Sequence, residues 1–67
     1  MDAVDYVRQC VIDRRVSRDD LMAVFGGRAR LSEAMNKKRG LSIEQIRRLH
    51  FDLGLDASAL LRPVDRQ

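Results

Sequence analysis

The stretch from Ser17 to Asn36 reads "SRDDLMAVFGGRARLSEAMN" and contains the clearest helix signals of the chain. Ser17 with Asp20 three residues later forms a capping-box signature, which predicts the start of a helix. The apolar residues that this helix would bury are Leu21, Val24 and Phe25. Gly26-Gly27 predicts its end, because glycine accepts the left-handed geometry that closes a helix. Another helix is expected from about Arg28 to Asn36, with Leu31 and Ala34 buried.

Helical signals continue on both sides of this stretch. Before it, Asp2 is a plausible N-cap for a first helix, in which Val4, Val7 and Val11 recur at helical spacing. After it, Ser42 and Gln45 form another capping box. The fourth helix is expected to bury a stripe composed of Ile43, Ile46, Leu49 and Leu53. Gly54 should end that helix.

The C-terminal part predicts one more short helix. Asp56 would cap it, Leu60 and Leu61 would be its apolar residues, and Pro63 would end the ordered part. No stretch alternates apolar and polar residues as a strand does. The sequence therefore predicts an all-α bundle of five short helices, with one domain over residues 1–63 and a flexible tail over residues 64–67.

Composition excludes several classes of protein. The 67 residues suffice for one small domain, and the longest apolar run, Leu21 to Phe25, is far shorter than the roughly 20 residues that span a bilayer. A cytoplasmic location is the default expectation. With one cysteine and one histidine, the chain offers neither a disulfide nor a zinc site, and we expect no metal or cofactor. Cys10 is expected to fill the core, and His50 to pack or to face solvent.

Positive charge is concentrated in one segment. From Gly26 to Arg48 there are seven basic residues and two acidic ones, a net charge of +5, whereas the remainder has six basic and eight acidic residues, a net charge of −2. Such a polarised distribution attracts polyanions. Two short helices joined by a tight glycine turn, the second one basic, outline a helix-turn-helix, whose second helix enters the major groove of DNA.

The residue types of that second helix suit base recognition. Arginine grips guanine with two hydrogen bonds, alanine touches the thymine methyl, and serine bonds to several bases. Two roles are open to Glu33. Its carboxylate accepts a hydrogen bond from cytosine, or it forms an ion pair that holds Arg30 or Lys37 in place, which is the favoured interpretation. Lys37, Lys38 and Arg39, together with Arg18, are expected to contact phosphates.

Four other interpretations compete with binding of double-stranded DNA. The basic residues form an ordinary solvated face, or they dock an acidic protein partner. Single-stranded nucleic acid is disfavoured, because no aromatic residue accompanies the basic cluster. Tyr6, Phe25 and Phe51 have spacings that suit the core instead. An enzyme is the weakest hypothesis, because no nucleophile, base or metal site is visible.

The segments "LSEAMNKKR", "LSIEQIRRLHFDLGL" and "ASALLRP" occur in the order and spacing typical of one family. Over roughly residues 3–63 the chain resembles the DNA-binding domain of HigA-type antitoxins, within the Xre, lambda-repressor-like helix-turn-helix proteins. The resemblance implies a repressor that binds a palindromic operator as a dimer and neutralises a RelE-like toxin endonuclease. A prophage or housekeeping Xre regulator without a toxin is the alternative within the same family.

The resemblance also assigns site residues. It places base reading at Arg28, Ala29, Arg30, Ser32 and Glu33, and phosphate contacts at Arg18, Asn36, Lys38 and Arg39. For the dimer contact, the candidates are Phe51, Leu55 and Leu61, which would equally serve as core residues of the monomer. Lys37 stands where the family commonly has glycine, so the third helix is expected to end through a left-handed Asn36. Gly40 replaces a common proline, which predicts a more flexible loop.

Overall fold

Five α-helices make up the fold of the computed structural model, which describes residues 1–67. They are α1 (Ala3–Ile12), α2 (Arg18–Phe25), α3 (Arg28–Met35), α4 (Ile43–Phe51) and α5 (Ala57–Leu60). No strand is present, so the predicted all-α architecture of five short helices is confirmed. None of these helices combines the length and the apolar character needed to cross a membrane.

Side-chain caps fix where four of the helices begin. Asp2, Ser17 and Ser42 each accept a hydrogen bond from the backbone N–H three residues later, and each of those later side chains accepts one in return. Asp56 caps α5 through the N–H of Ala59 at 3.1 Å. These contacts satisfy N–H groups that have no partner inside a helix. All four predicted caps are confirmed.

The core draws on every helix. Its largest fully buried side chains are Leu21, Leu31, Leu49, Leu60, Val4, Val7 and Cys10. The predicted core position of Cys10 is therefore confirmed. No polar or charged residue is buried, so the core is held by apolar contact alone.

Two apolar residues of α4 are more exposed than the sequence predicts. Ile43, expected in the buried stripe, is 67% exposed, because as the first residue of α4 it lies beyond the edge of the core. Phe51, whose spacing suited the core, is 75% exposed. Two residues along a helix turn by about 200°, so the full burial of Leu49 directs Phe51 to the opposite side.

Polar contacts attach α1 to later parts of the chain. The Tyr6 hydroxyl accepts from the backbone N–H of Asp56 at 2.8 Å, and the guanidinium of Arg8 donates to the carbonyl oxygen of Met35. The last residues, predicted to form a loose tail, also make hydrogen bonds: Asp65 N–H donates to Asp2 at 3.0 Å, and Gln67 N–H donates to the Lys37 carbonyl at 2.9 Å.

Candidate nucleic-acid interface

The turn between α2 and α3 contains two residues, and both need to be glycine. Gly26 has φ = 91° and closes α2, while Gly27 has φ = 123° and precedes α3. Residues with a Cβ rarely adopt these values. A Cβ built on Gly26 would make only an ordinary contact, 3.4 Å from Nη1 of Arg30, so the backbone conformation and not the available space selects glycine. The two glycines therefore allow α3 to begin immediately after α2 and to pack against it.

One face of α3 is open to solvent. Leu31 and Ala34 point into the core, and the residues on the opposite side are exposed. They include Ala29, Ser32 and Asn36, three of the predicted DNA contacts. The Asn36 amide nitrogen donates to the Ser32 carbonyl at 2.9 Å and to the Ser32 hydroxyl at 3.3 Å, which fixes the amide group and leaves its acceptor oxygen free of protein partners. The predicted outward face of this helix is thus a continuous solvent-exposed surface.

Arg28 and Arg30 flank this face on its two sides. Both side chains are exposed, and neither forms an ion pair or a side-chain hydrogen bond. Arg30 folds back toward Gly26, as the 3.4 Å distance above indicates. Arg28, at the first position of α3, therefore has the freer guanidinium of the two.

The N-terminal end of α3 differs from those of the other helices. Gly27 provides no side-chain cap, and no acidic residue occupies the first turn. The first backbone hydrogen bond runs from Leu31 N–H to the Gly27 carbonyl, so the N–H groups of residues 28–30 have no partner in the chain. Free N–H groups and the positive end of the helix dipole both favour a negatively charged or hydrogen-bond-accepting neighbour.

Four predicted phosphate contacts lie on the surface, at the start of α2 and around the end of α3. Arg18, Asn36, Lys38 and Arg39 are all exposed. Arg18 and Lys38 have no ion-pair partner, and Arg39 lies 3.8 Å from Glu33. Exposed pairs at that distance contribute little free energy, so Arg39 remains available to a phosphate. The expectation that Glu33 holds a basic residue agrees with this pair, but the partner is Arg39 rather than Arg30 or Lys37.

Lys37 is separated from the other predicted phosphate contacts. Its ammonium nitrogen lies 3.0 Å from a carboxylate oxygen of Asp2 and 3.0 Å from one of Asp5, and its side chain is only 15% exposed. A phosphate contact would require Lys37 to leave both carboxylates. The structure therefore does not bring Lys37 together with Lys38 and Arg39, and we omit it from the phosphate-contacting set.

The pKa values of this cluster are shifted in the direction expected of ion pairs. Burial alone would raise the pKa of the Asp2 carboxyl, but two backbone N–H donors and the Lys37 ammonium hold it well below its usual range. The Lys37 ammonium, helped by the Asp2 N–H, also lowers the pKa of Asp5. The same hydrogen bonds to Asp2 and Asp5 raise the pKa of Lys37. All three groups are therefore charged near neutral pH.

The backbone geometry at the end of α3 differs from the predicted left-handed Asn36. Asn36 has φ = −89°, and it is Lys37 that is left-handed, with φ = 59°. The Lys37 N–H bonds to the Ala34 carbonyl and the Lys38 N–H to the Glu33 carbonyl, the two hydrogen bonds of a Schellman motif. That motif requires left-handed geometry one residue after the cap, at the position where the family commonly has glycine. Lys37 thus combines a left-handed backbone with an ammonium group that contacts two carboxylates.

Sequence reasoning missed two basic residues near Arg18. Arg14 and Arg15 are exposed in the turn that leads into α2, and neither forms an ion pair. The signal for them was present as "RRVSR", three arginines within residues 14–18. They extend the basic surface beyond the start of α2.

The candidate dimer residues divide between core and surface. Leu55 is 2% exposed and belongs to the core, so of its two predicted roles, dimer contact or core residue of the monomer, the structure shows the second. Phe51 and Leu61 are 75% and 61% exposed and remain candidates for a contact between copies. His50 contacts residues on both sides of this region. Its Nδ1 lies 2.7 Å from the Leu55 carbonyl oxygen and donates to it, because a carbonyl oxygen only accepts. Its ring lies edge-on to that of Phe51, with 4.8 Å between the ring centroids.

The chain matches no protein-family model, no curated protein and no solved structure. The resemblance to HigA-type antitoxins therefore stays a prediction from the sequence.

Proposed function

We propose that the chain binds double-stranded DNA in a sequence-specific manner, with α3 in the major groove. An α-helix with its side chains is about 10–12 Å across, and the major groove of B-DNA is about 12 Å wide. The observation that carries the proposal is the exposed face of α3. Arg28, Ala29 and Ser32 lie there without competing partners from other helices. The turn that precedes α3 is only two residues long.

Each of these residues has a chemistry suited to base edges. The free guanidinium of Arg28 is able to donate two hydrogen bonds to N7 and O6 of guanine, the commonest specific contact in the major groove. The Ala29 methyl fits against a thymine methyl, and the Ser32 hydroxyl bonds to either kind of group. Arg30 and Glu33 stand at the border of the face, where one lies against the turn and the other against Arg39.

Affinity would come from the surrounding cations and not from the base contacts alone. Arg18, Lys38 and Arg39 contact phosphates on either side of the groove, whereas Asn36 would first have to release Ser32 before its amide nitrogen could donate to a phosphate. Such contacts set the register of the protein on the duplex without reading its sequence. Besides Lys37, four of the seven basic residues of the segment 26–48 lie in α3 or just after it and support this arrangement, because they concentrate positive charge where the phosphates would lie: Arg28, Arg30, Lys38 and Arg39.

The resemblance in sequence suggests a biological role for this activity. We propose a cytoplasmic, non-enzymatic transcriptional repressor of the HigA type that binds a palindromic operator as a dimer. The exposed pair Phe51 and Leu61 is the proposed contact between the two copies. A RelE-like toxin endonuclease is the proposed protein partner, and an Xre-type regulator without a toxin is the alternative.

Selection of bound duplexes from a random pool tests the proposal. The expected result is a single enriched motif whose two halves are related by a dyad, bound on the order of a thousandfold more tightly than random duplex. A protein-interaction module with a basic face would retain duplexes through charge alone and enrich none of them. Absence of an enriched motif would overturn the proposal.

A further inference from the structure

A shallow groove opens on the surface between α1, α2 and α3. Its volume is about 260 Å³, and five of its seven lining residues are hydrophobic. Leu21 and Leu31 form its floor as part of the core. Ile12 stands at its edge with 70% of its surface exposed.

The size of the groove favours a side chain over a whole small molecule. Pockets that bind drug-sized ligands or cofactors enclose roughly 300–1,000 Å³ and cover most of the ligand surface. This groove is smaller and has Ile12 on an open edge. One or two aliphatic or aromatic side chains, projecting from the backbone of another protein, would fill it.

Two arginines specify the charge of the occupant. Arg8 and Arg18 are the only charged residues that line the groove, and neither is in an ion pair. One nitrogen of Arg8 donates to the Met35 carbonyl at the groove wall, which holds the guanidinium in place without neutralising it. An apolar floor with two uncompensated cations at its edge is complementary to an apolar group flanked by carboxylates.

We propose that this groove binds a short acidic segment of a partner protein. One large apolar side chain of the segment lies on Leu21 and Leu31 beside Ile12, and flanking Asp or Glu side chains pair with Arg8 and Arg18. Apolar anchors surrounded by charged residues are a recurrent mode of peptide recognition.

The groove adjoins the proposed DNA surface through one residue. Arg18 lines the groove and also belongs to the proposed phosphate contacts. A carboxylate that occupies its guanidinium removes one phosphate contact, so the acidic segment and the duplex would weaken each other's binding. This consequence, unlike the docking site itself, rests on the proposed DNA-binding function.

Selection from a displayed library of random twelve-residue peptides, with the folded protein as bait and no DNA present, tests the docking site. The expected peptides carry Leu, Ile, Met, Phe or Trp next to Asp or Glu. Ile12→Ser should weaken their binding on the order of tenfold, since it removes an exposed apolar contact without disturbing the core. Ile43→Ser is the matched control, because Ile43 is 67% exposed but lies outside the groove, and it should leave peptide binding unchanged.

The proposed contact of Arg18 with the acidic segment is tested in the same way. Arg18→Gln should weaken the selected peptide severalfold, whereas Arg47→Gln, which removes an equally exposed charge from α4, should not. Failure of the library to yield any peptide, selection of peptides without acidic residues, or equal effects of Ile12→Ser and Ile43→Ser would overturn the proposal. Because DNA is absent from the selection, these outcomes do not depend on duplex binding. A peptide that binds as expected but leaves duplex affinity unchanged would overturn only the competition.

Discussion

Arg28→Ala is the substitution that most sharply tests the role of α3. The Arg28 side chain is exposed and has no protein partner, so its removal leaves no unpaired group and should not change the stability of the fold. The whole effect should fall on DNA binding. Loss of one bidentate contact to guanine costs about 1–3 kcal/mol, which corresponds to a roughly 5- to 150-fold weaker Kd for each half-site bound.

Arg47→Ala is the matched control for this measurement. Arg47 is also an exposed arginine without an ion pair, and both substitutions lower the formal net charge of +3 by one. Arg47 lies on α4 and outside the exposed face of α3, so its loss should change Kd by much less than fivefold.

Fluorescence anisotropy with the selected duplex gives both affinities. Repeating the duplex selection with Arg28→Ala should also show relaxed choice at one base pair per half-site. Equal affinities of Arg28→Ala and Arg47→Ala, together with an unchanged selected motif, would show that Arg28 does not read a base.

Three further predictions concern phosphate contact, the glycine turn and acid stability. Lys38→Ala should weaken all duplexes alike and reduce the slope of log K against log salt concentration by about 0.9 for each copy bound; an unchanged slope would exclude a phosphate contact. Gly26→Ala should lower the free energy of unfolding by about 1–2 kcal/mol, because its φ of 91° is left-handed, whereas Gly40→Ala should not lower it; urea unfolding of the two variants checks the difference. The two carboxylates paired with Lys37 have lowered pKa values, so their contribution to stability is present above about pH 4 and is lost as the pH falls further. Lys37→Met should therefore move the midpoint of acid unfolding, followed by circular dichroism, to higher pH, while an equal shift in Lys38→Met would contradict the specific pairing.

Local signals explain why the helices could be predicted from the sequence. Each of the caps at Asp2, Ser17, Ser42 and Asp56 depends on groups three residues apart, and the glycine turn depends on two adjacent residues. Such contacts form within one helical turn, so the sequence contains all the information they require. The exposed face of α3 can be predicted from these signals, because the helical period places the remaining residues once Leu31 and Ala34 are buried.

The failures of prediction involve contacts between distant segments. Lys37 pairs with Asp2 and Asp5, which precede it by more than thirty residues, and no spacing rule joins the end of α3 to the cap of α1. Its left-handed backbone follows from the Schellman geometry and that pairing together. The exposure of Ile43 depends on how far α4 extends past the core, which its own periodicity does not define. Arg18 likewise lines the groove only because α1, α2 and α3 come together in the folded chain.

The most direct test of the central claim is to measure which protein protons approach the major groove. Isotope-labelled protein bound to its selected duplex should give intermolecular nuclear Overhauser effects from the Ala29 methyl group to thymine methyl or cytosine H5 protons, which lie in that groove. Amide shifts should be largest over residues 28–36. Contacts from α1 or α5 to the duplex, with α3 unperturbed, would contradict the account.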